Sequence, residues 1–408
     1  MEHTNFVLTV ACICFLIADI QAYQSDSSRG RSRQLTGAQR TRSNVQPNQD
    51  NFATRYGRFL SLFTLVKFPN EGCRTPTGDN GTCLTAAECQ GRTGTASGPC
   101  ANGYGICCVF IATCGETAKE NQTYFVNTGY PSQYDSPGSC QLTLLKSKLD
   151  ICQFRLDFDQ FALMGPEAVN NICNNDQFIV SGGTPVPIIC GLNSGNHMYI
   201  DAGVGMTNPI ILTAVTTGPG FPRSWKIRVS QIPCYTSYKA EDGCLQYFTG
   251  VSGQVQSYNY DPTTGLQLSN QDYSICIRME RNFCGIQYTQ CPDTVNNRSQ
   301  SFTLSGNSAL AVQAMVGSQG ANSCPSDYII IPCASNVGRA VNAVPACQDR
   351  LCGGTFGAEV SLNPATVQST VKPFRINFHT DNVEAPTDIG NKGFCLNYVQ
   401  QPCTTMIT

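Results

Sequence analysis

Three stretches of the chain alternate apolar and polar side chains with a period of two. In "QFRLDFDQF", 153–161, Phe154, Leu156 and Phe158 alternate with Arg155, Asp157 and Asp159. "SWKIRVSQI", 224–232, repeats the pattern with Trp225, Ile227 and Val229, and "PFRINFHTD", 373–381, with Phe374, Ile376 and Phe378. Successive side chains of a strand point to opposite faces, so this period predicts strands with one buried face. Clusters of Gly, Pro and Asn separate the strands, and helical periodicity is almost absent. Both features predict an all-β chain of sandwich type.

The pattern also repeats. From Thr128 to Cys234 the order is "TGYPSQY", "SCQLTL", "DICQFRLDF", "CNNDQFIV", "ICG" and "WKIRVSQIPC". From Tyr258 to Cys403 a parallel order runs "YNYDP", "SICIRM", "NFCGIQY", "CPSDYIII", "LCGG" and "FCLNYVQQPC". Two copies of one sandwich are therefore expected, the second lengthened by insertions.

The N-terminal part has a different texture. "MEHTNFVLTVACICFLIADIQA" has a polar start, an apolar run from Phe6 to Ile20 and a small residue at Ala22. That run is short for a membrane span and sits where a secretory leader belongs, so residues 1–22 are expected to be a signal peptide. Residues 23–57 are rich in Ser, Gln, Asn and Arg and read as a disordered basic linker. Arg29, Arg31, Arg33, Arg40 and Arg42 could serve processing or a polyanion tether, or form a solvated tail without a role. An apolar connector, 58–72, follows.

Composition sharpens this picture at the cysteines. The 408 residues include 24 cysteines, with 13% charged residues and a formal net charge of −2. Charged residues usually make up about 25%, and a balance so near neutrality offers no attraction to nucleic acid or an anionic membrane. Cleavage near Ala22 removes Cys12 and Cys14 and leaves 22 cysteines, an even number. In a secreted chain that count suits a fully paired framework. With three histidines in all and no pair of CxxC knuckles, a zinc-rich cytosolic protein is disfavoured. No later segment is long and apolar enough to span a bilayer, so a secreted, extracellular protein is expected.

Six cysteines crowd into 73–108, too short a segment to build a core without staples. Cys107 and Cys108 are adjacent, and neighbouring residues lack relaxed geometry for a mutual bridge, so each must reach a distant partner. Six cysteines allow 15 pairings. The opening "CRTPTGDNGTCLTAAEC" and the closing "CC" resemble the clip-type modules of arthropod secreted proteins. That resemblance implies Cys73–Cys107, Cys83–Cys100 and Cys89–Cys108, although the gap from Cys89 to Cys100 is shorter than in many such modules.

The two repeated copies resemble the CUB family of extracellular β-sandwiches. The motifs behind this are "GYP" at 129–131, "NDQFIV" ahead of the "CG" at 190, and "FHTDNVEAPTDIGNKGFCLNY" at 378–398. The resemblance covers about two thirds of the chain and implies jelly-roll folds at 114–234 and 244–403. It also implies the disulfides Cys114–Cys140, Cys173–Cys190, Cys244–Cys276 and Cys324–Cys352. Each copy then keeps one early and one terminal cysteine, so Cys152–Cys234 and Cys284–Cys403 form a matched third pair. Cys291, Cys333, Cys347 and Cys395 remain. The preferred pairing is Cys333–Cys347 across a loop with Cys291–Cys395, other combinations staying open.

Catalytic constellations are hard to assemble from this chain. No serine-protease nucleophile context and no HExxH helix is present. His3 leaves with the leader, while His197 and His379 lie in separate copies and read as structural or surface residues. An enzyme is not expected. Calcium is the better candidate, because many CUB domains hold one through three acids, and calcium takes several hard oxygens. In the second copy Asp327 and Asp381 match two of those acids, with Asn382 beside the second, and the third has no counterpart. In the first copy Asp176 matches one acid, but "TTGPGFPRSW" lacks the later one. These aspartates could instead cap turns and strand ends. Asn80, Asn121 and Asn297 satisfy the N-glycosylation sequon.

The fold expected is thus two CUB-like jelly-roll β-sandwiches behind a small disulfide-knotted, clip-like module. The function expected is non-enzymatic binding of another extracellular protein through loops at the sandwich ends. The insertions at 291–322 and 333–352 are the natural seat of specificity, since sandwich loops tolerate variation. A structural matrix or egg-coat component and a non-catalytic regulator of a proteolytic cascade are the alternatives.

Overall fold

A computed structural model of the chain describes residues 66–403, apart from 206, 219, 297–298, 308–316, 341–343 and 360–361. The chain divides into two units, Met1–Thr64 and Leu65–Thr408. The leader, the basic linker, the connector up to residue 65 and the sequon at Asn297 lie outside the described residues.

The cysteine-rich segment forms β1 (Gly72–Arg74), β2 (Asn80–Leu84), a one-turn helix α1 (Ala86–Gly91), β3 (Thr95–Cys100) and β4 (Gly105–Ala112). Helix α1 starts at a capping box. Thr85 Oγ1 accepts from the Glu88 N–H, and the Thr85 N–H donates back to Glu88 Oε2, so two of the helix's orphan donors are satisfied. The turn carries Cys89 inward, where it is buried. Disulfides join Cys73 to Cys107, Cys83 to Cys100 and Cys89 to Cys108.

Strand β4 does not stop at the knot. Past Cys108 it continues through Val109 and Phe110 and pairs in parallel with β6 (Thr123–Val126), Phe110 facing Thr123 and Ala112 facing Phe125. Side chains reinforce the seam: the Asn80 N–H donates to Tyr124 Oη at 2.7 Å, and Lys226 Nζ meets Asp79 at 2.5 Å. A boundary placed between 108 and 114 therefore falls within one strand and its exit.

The first sandwich adds β5 (Thr117–Ala118), β7 (Gly138–Leu144), β8 (Ile151–Ala162), β9 (Gln177–Ser181), β10 (His197–Asp201), β11 (Ile210–Thr216) and β12 (Ser224–Pro233). One sheet has the order β1-β2-β4-β6-β12-β8-β10, with β3 on β4, and the other β5-β7-β11-β9. Alternation places Trp225, Ile227 and Val229 of β12 and Phe154, Leu156 and Phe158 of β8 in the core. Leu142 and Leu144 of β7 and Leu212 and Ala214 of β11 are buried in the same core. Cystines Cys114–Cys140, Cys152–Cys234 and Cys173–Cys190 staple it.

The second sandwich is built from β13 (Cys244–Phe248), β14 (Ser252–Gln256), β15 (Asp272–Ile277), β16 (Phe283–Gln290), β17 (Phe302–Thr303), β18 (Gly317–Gln319), β19 (Tyr328–Asn336), β20 (Gln348–Gly353), β21 (Val367–Ser369), β22 (Phe374–His379) and β23 (Gly393–Pro402). Its strands form one curled sheet, β13-β15-β22-β19-β21-β16-β23-β14, with β17 on β23 and β18 and β20 beyond β19. The curl has a local cause. Strand β19 pairs with β22 through Ile330, is irregular up to Ala334, then pairs with β21 through Ser335 and Asn336. Within that irregularity Cys333 adopts a φ of +46° and bonds Cys347; β19 advances four residues there while β20 moves two, and such extra residues bend a strand from one partner to another. The remaining cystines are Cys244–Cys276, Cys284–Cys403, Cys291–Cys395 and Cys324–Cys352.

The two sandwiches pack directly on each other. Tyr258 Oη donates to the His197 carbonyl at 2.9 Å, and Asn259 Oδ1 accepts from the Leu192 N–H at 2.9 Å. The Asn259 N–H donates to Asn193 Oδ1 at 2.7 Å, and the Ser269 N–H to the Asn171 carbonyl. Phe158 and Tyr258 lie 6.4 Å apart across the junction, so apolar and polar contacts alternate there.

Candidate functional site

The acids singled out in the two copies have different environments. In the first copy Asp176 precedes β9, and Arg223 precedes β12 from the loop "TTGPGFPRSW". Their side chains are fully buried and form a two-pronged ion pair, Arg223 Nε to Asp176 Oδ2 at 2.6 Å and Arg223 NH2 to Asp176 Oδ1 at 2.9 Å. Arg223 also donates to the carbonyls of Thr217, Asp135 and Phe221. Asp176 accepts from the N–H groups of Met164 and Thr217 as well. A buried charge is tolerable when paired and hydrogen-bonded on all sides. The protein's own guanidinium thus supplies the cation at this end of the first sandwich.

The second copy answers the same position with more acid. Asp327, just ahead of β19, is buried at 1% exposure beside Glu384, also at 1%. Glu384 comes from the loop after β22, which also bears Asp381 and Asp388. Gln267 stands between the two carboxyls, its amide donating to Asp327 Oδ2 at 2.9 Å and Glu384 Oε1 at 3.5 Å. Burial, then the proximity of Asp381 and Asp388, pushes the Asp327 carboxyl up to about 7. Burial, then the Asp327 charge, pushes Glu384 up to about 8. Two neighbouring buried carboxyls disfavour each other's ionised forms.

Asp381 is placed otherwise. Its N–H donates to Asp327 Oδ1 at 2.9 Å, while its own carboxylate accepts from the Val383 N–H and caps its turn. The acid beside Asp327 is therefore Glu384, which no spacing pattern marked, because it lies in an irregular loop with no period to expose it. Among the described residues no group of three or more His, Cys, Asp or Glu gathers as a metal site. The donors around Asp327 nevertheless suit a hard cation. Glu384 Oε2 and Gln267 Oε1 are both buried oxygens without a hydrogen-bond partner, and carboxylate and amide oxygens are the ligand types calcium takes.

The other sequence-selected residues disperse. His197, on β10, lies at the junction of the sandwiches, and its Nε2 accepts from the Tyr247 N–H at 3.0 Å. Burial lowers its imidazole to about 4, so it is neutral and structural. His379 ends β22 and stacks on Tyr328 with ring centroids 4.9 Å apart. Asn80 begins β2 and is half-buried. Asn121 is exposed just ahead of β6, its Oδ1 accepting from the Gln231 N–H at 2.7 Å.

Comparison with known proteins adds the following. A search of the curated proteins finds no match. Among solved structures, the CUB1-EGF-CUB2 domains of rat MASP-1 share 14% identity, over 71% of this chain and 99% of that one, with a TM-score of 0.24. The corresponding human MASP-1/3 fragment shares 16% identity over 68% and 98%, with a TM-score of 0.22. The full extracellular region of zebrafish Gpr126/Adgrg6 shares 13% identity over 72% of this chain and 38% of that one, with a TM-score of 0.25. The family model "Animal CUB domain" matches residues 241–401, the span that carries β13 to β23 and the Asp327–Glu384 pair.

Proposed function

We propose that the chain is a secreted, non-enzymatic binding protein whose sandwich loops engage another extracellular protein. The observation that carries this reading is the match of 241–401 to the animal CUB domain, a module of extracellular protein interaction. The cystine framework supports it, because disulfides persist in oxidising compartments, and no helix among the described residues is long and apolar enough to cross a membrane. The domain units of the proposal are the knot at 73–108, a first sandwich at 114–234 and a second at 244–403.

Calcium belongs to the same proposal. Asp327, with Asp381 or Glu384, would hold it at the loop end of the second sandwich and order the loop that follows β22. Two measurements test the reading. Affinity capture from conditioned medium with the purified chain should retain a discrete protein partner, in amounts reduced by EDTA. A thermal melt should rise with calcium, by about 2.7 kcal/mol of stability at a hundredfold excess over Kd, and Asp327→Asn should remove the rise. Of Glu384→Gln and Asp381→Asn, the one that also removes the rise identifies the second acid, and the other should spare most of it. A melt indifferent to calcium and EDTA would exclude the ion, and large self-assemblies without a partner would favour a structural role instead.

A further inference from the structure

A second site lies away from these loops, where the outer face of the first sandwich meets the second. There β8, β10 and β12, the Asn121 turn, the inter-sandwich linker and the segments after β13 and β15 surround a cleft of about 540 Å³. Ligand clefts commonly measure about 300–1,000 Å³. Arg155, Arg228 and Arg278 converge on it, together with Tyr199, Tyr238 and Tyr247.

The electrostatics leave cationic capacity over. Asp157 is shared by Arg155 at 2.7 Å and Arg228 at 3.0 Å, and Arg278 pairs with Glu280 at 2.8 Å. The lining itself carries three guanidiniums and one carboxylate, Asp157; Glu280 and Asp159 lie outside it, Asp159 acting on Arg228, and Arg228 Nε is buried without an acceptor. The guanidinium fork matches the paired oxygens of carboxylate and sulfate.

The aromatic groups are held in place. Arg155 lies 5.3 Å from the Tyr199 ring centroid and donates to Tyr199 Oη at 2.9 Å. Tyr199 meets Tyr247 edge to face at 6.0 Å, and Tyr238 at the rim is 57% exposed. The remaining lining is largely amide and hydroxyl, including Gln122, Ser230 and Thr249, with Ile232 as its aliphatic member. Hydroxyl-matching groups, tyrosine rings and surplus guanidinium suit a polyhydroxylated anion better than a peptide, which would need apolar side-chain pockets or a free strand edge.

We infer that this cleft is a binding site for an anionic saccharide bearing sulfate or carboxylate groups. It uses neither Asp327 nor the loop after β22, so it stands apart from the interaction site proposed above. Anionic saccharides occur where a secreted protein meets the cell surface and matrix, and the cleft would hold the chain there.

The test is isothermal titration of the full secreted chain, enzymatically deglycosylated so that a glycan on Asn121 cannot occupy the rim. The probes are a heparin-derived hexasaccharide, a non-sulfated uronate hexasaccharide and neutral maltohexaose. At least one anionic probe should bind, weakening as salt rises, and maltohexaose should not. Whichever anion binds better identifies the preferred group. Arg278→Gln and Tyr238→Ala should each weaken binding about tenfold with unchanged melting temperature. Arg92→Gln, on the knot, should leave binding unaltered. The inference is overturned if neither anionic probe binds, if Arg278→Gln binds as well as the parent chain, or if poly-glutamate competes equally, which would show attraction to charge alone.

Discussion

Arg223 and Asp176 form the most demanding polar contact among the described residues, because both side chains are fully buried. Removing one partner strands a charge in the core, which typically costs about 3–5 kcal/mol. Arg223→Ala should therefore sharply reduce the secreted yield and the denaturant midpoint. Asp176→Asn should do the same, and the double variant should lose much less than the sum of the two. Additive losses would refute the coupling. His197 sets a second residue-scale expectation. Its folded form stays neutral down to about 4, whereas an unfolded histidine protonates near 6.5. Its contribution is complete above about 6.5 and is lost as pH falls through that window toward 4, by about 1.4 kcal/mol per pH unit. Denaturant unfolding at stepped pH should show this slope, and His197→Gln, which keeps an acceptor for the Tyr247 N–H, should flatten it.

At the scale of elements, strands β8, β12 and β22 were legible because each buries one face against a core and exposes the other, which writes a period of two into the sequence. Contacts made by loops carry no such period. Arg223 stands 47 residues from Asp176, and what "TTGPGFPRSW" contributes to that end of the sandwich is its arginine, not an acid. Glu384 escaped for the same reason. The corner at Cys333 was also hidden, since a positive φ at a cysteine leaves no compositional mark in the way a glycine does. Strand β4 carries a continuity that the cysteines do not mark. The doubled cysteine reads as the end of a module, yet the strand runs on to Ala112. Hydrogen exchange should show the alternate amides of Phe110–Ala112 that point toward β6 protected to the same degree as β6. Rapid exchange there, with a protected β6, would show the knot to be a separate appendage.

At the scale of the whole molecule, the repeat in the sequence suggests two beads, and the contacts at Asn193, Asn259 and Tyr258 make one body of them. Such cross-junction pairs lie more than sixty residues apart and mostly join loops, so nothing in either copy alone announces them. Calorimetry should consequently show one cooperative transition for residues 66–403. Two separated transitions would mean that the junction is weaker than its hydrogen bonds imply. The cleft proposed for saccharide depends on this union, since Arg278 and Tyr247 belong to one sandwich and Arg155 and Arg228 to the other.

The shared strand also has a mechanical consequence. Tension entering through the chain ahead of Cys73 does not have to travel around the knot. The Cys73–Cys107 bond passes it straight to β4, and the loop between those cysteines carries no load. From β4 the force spreads sideways into β6 through a parallel ladder loaded in shear, and along the chain to Cys114, where the bond to Cys140 hands it to the opposite sheet. The N-terminal end is thus covalently anchored to both layers of the first sandwich, a strain-relief fitting for a protein held from that side.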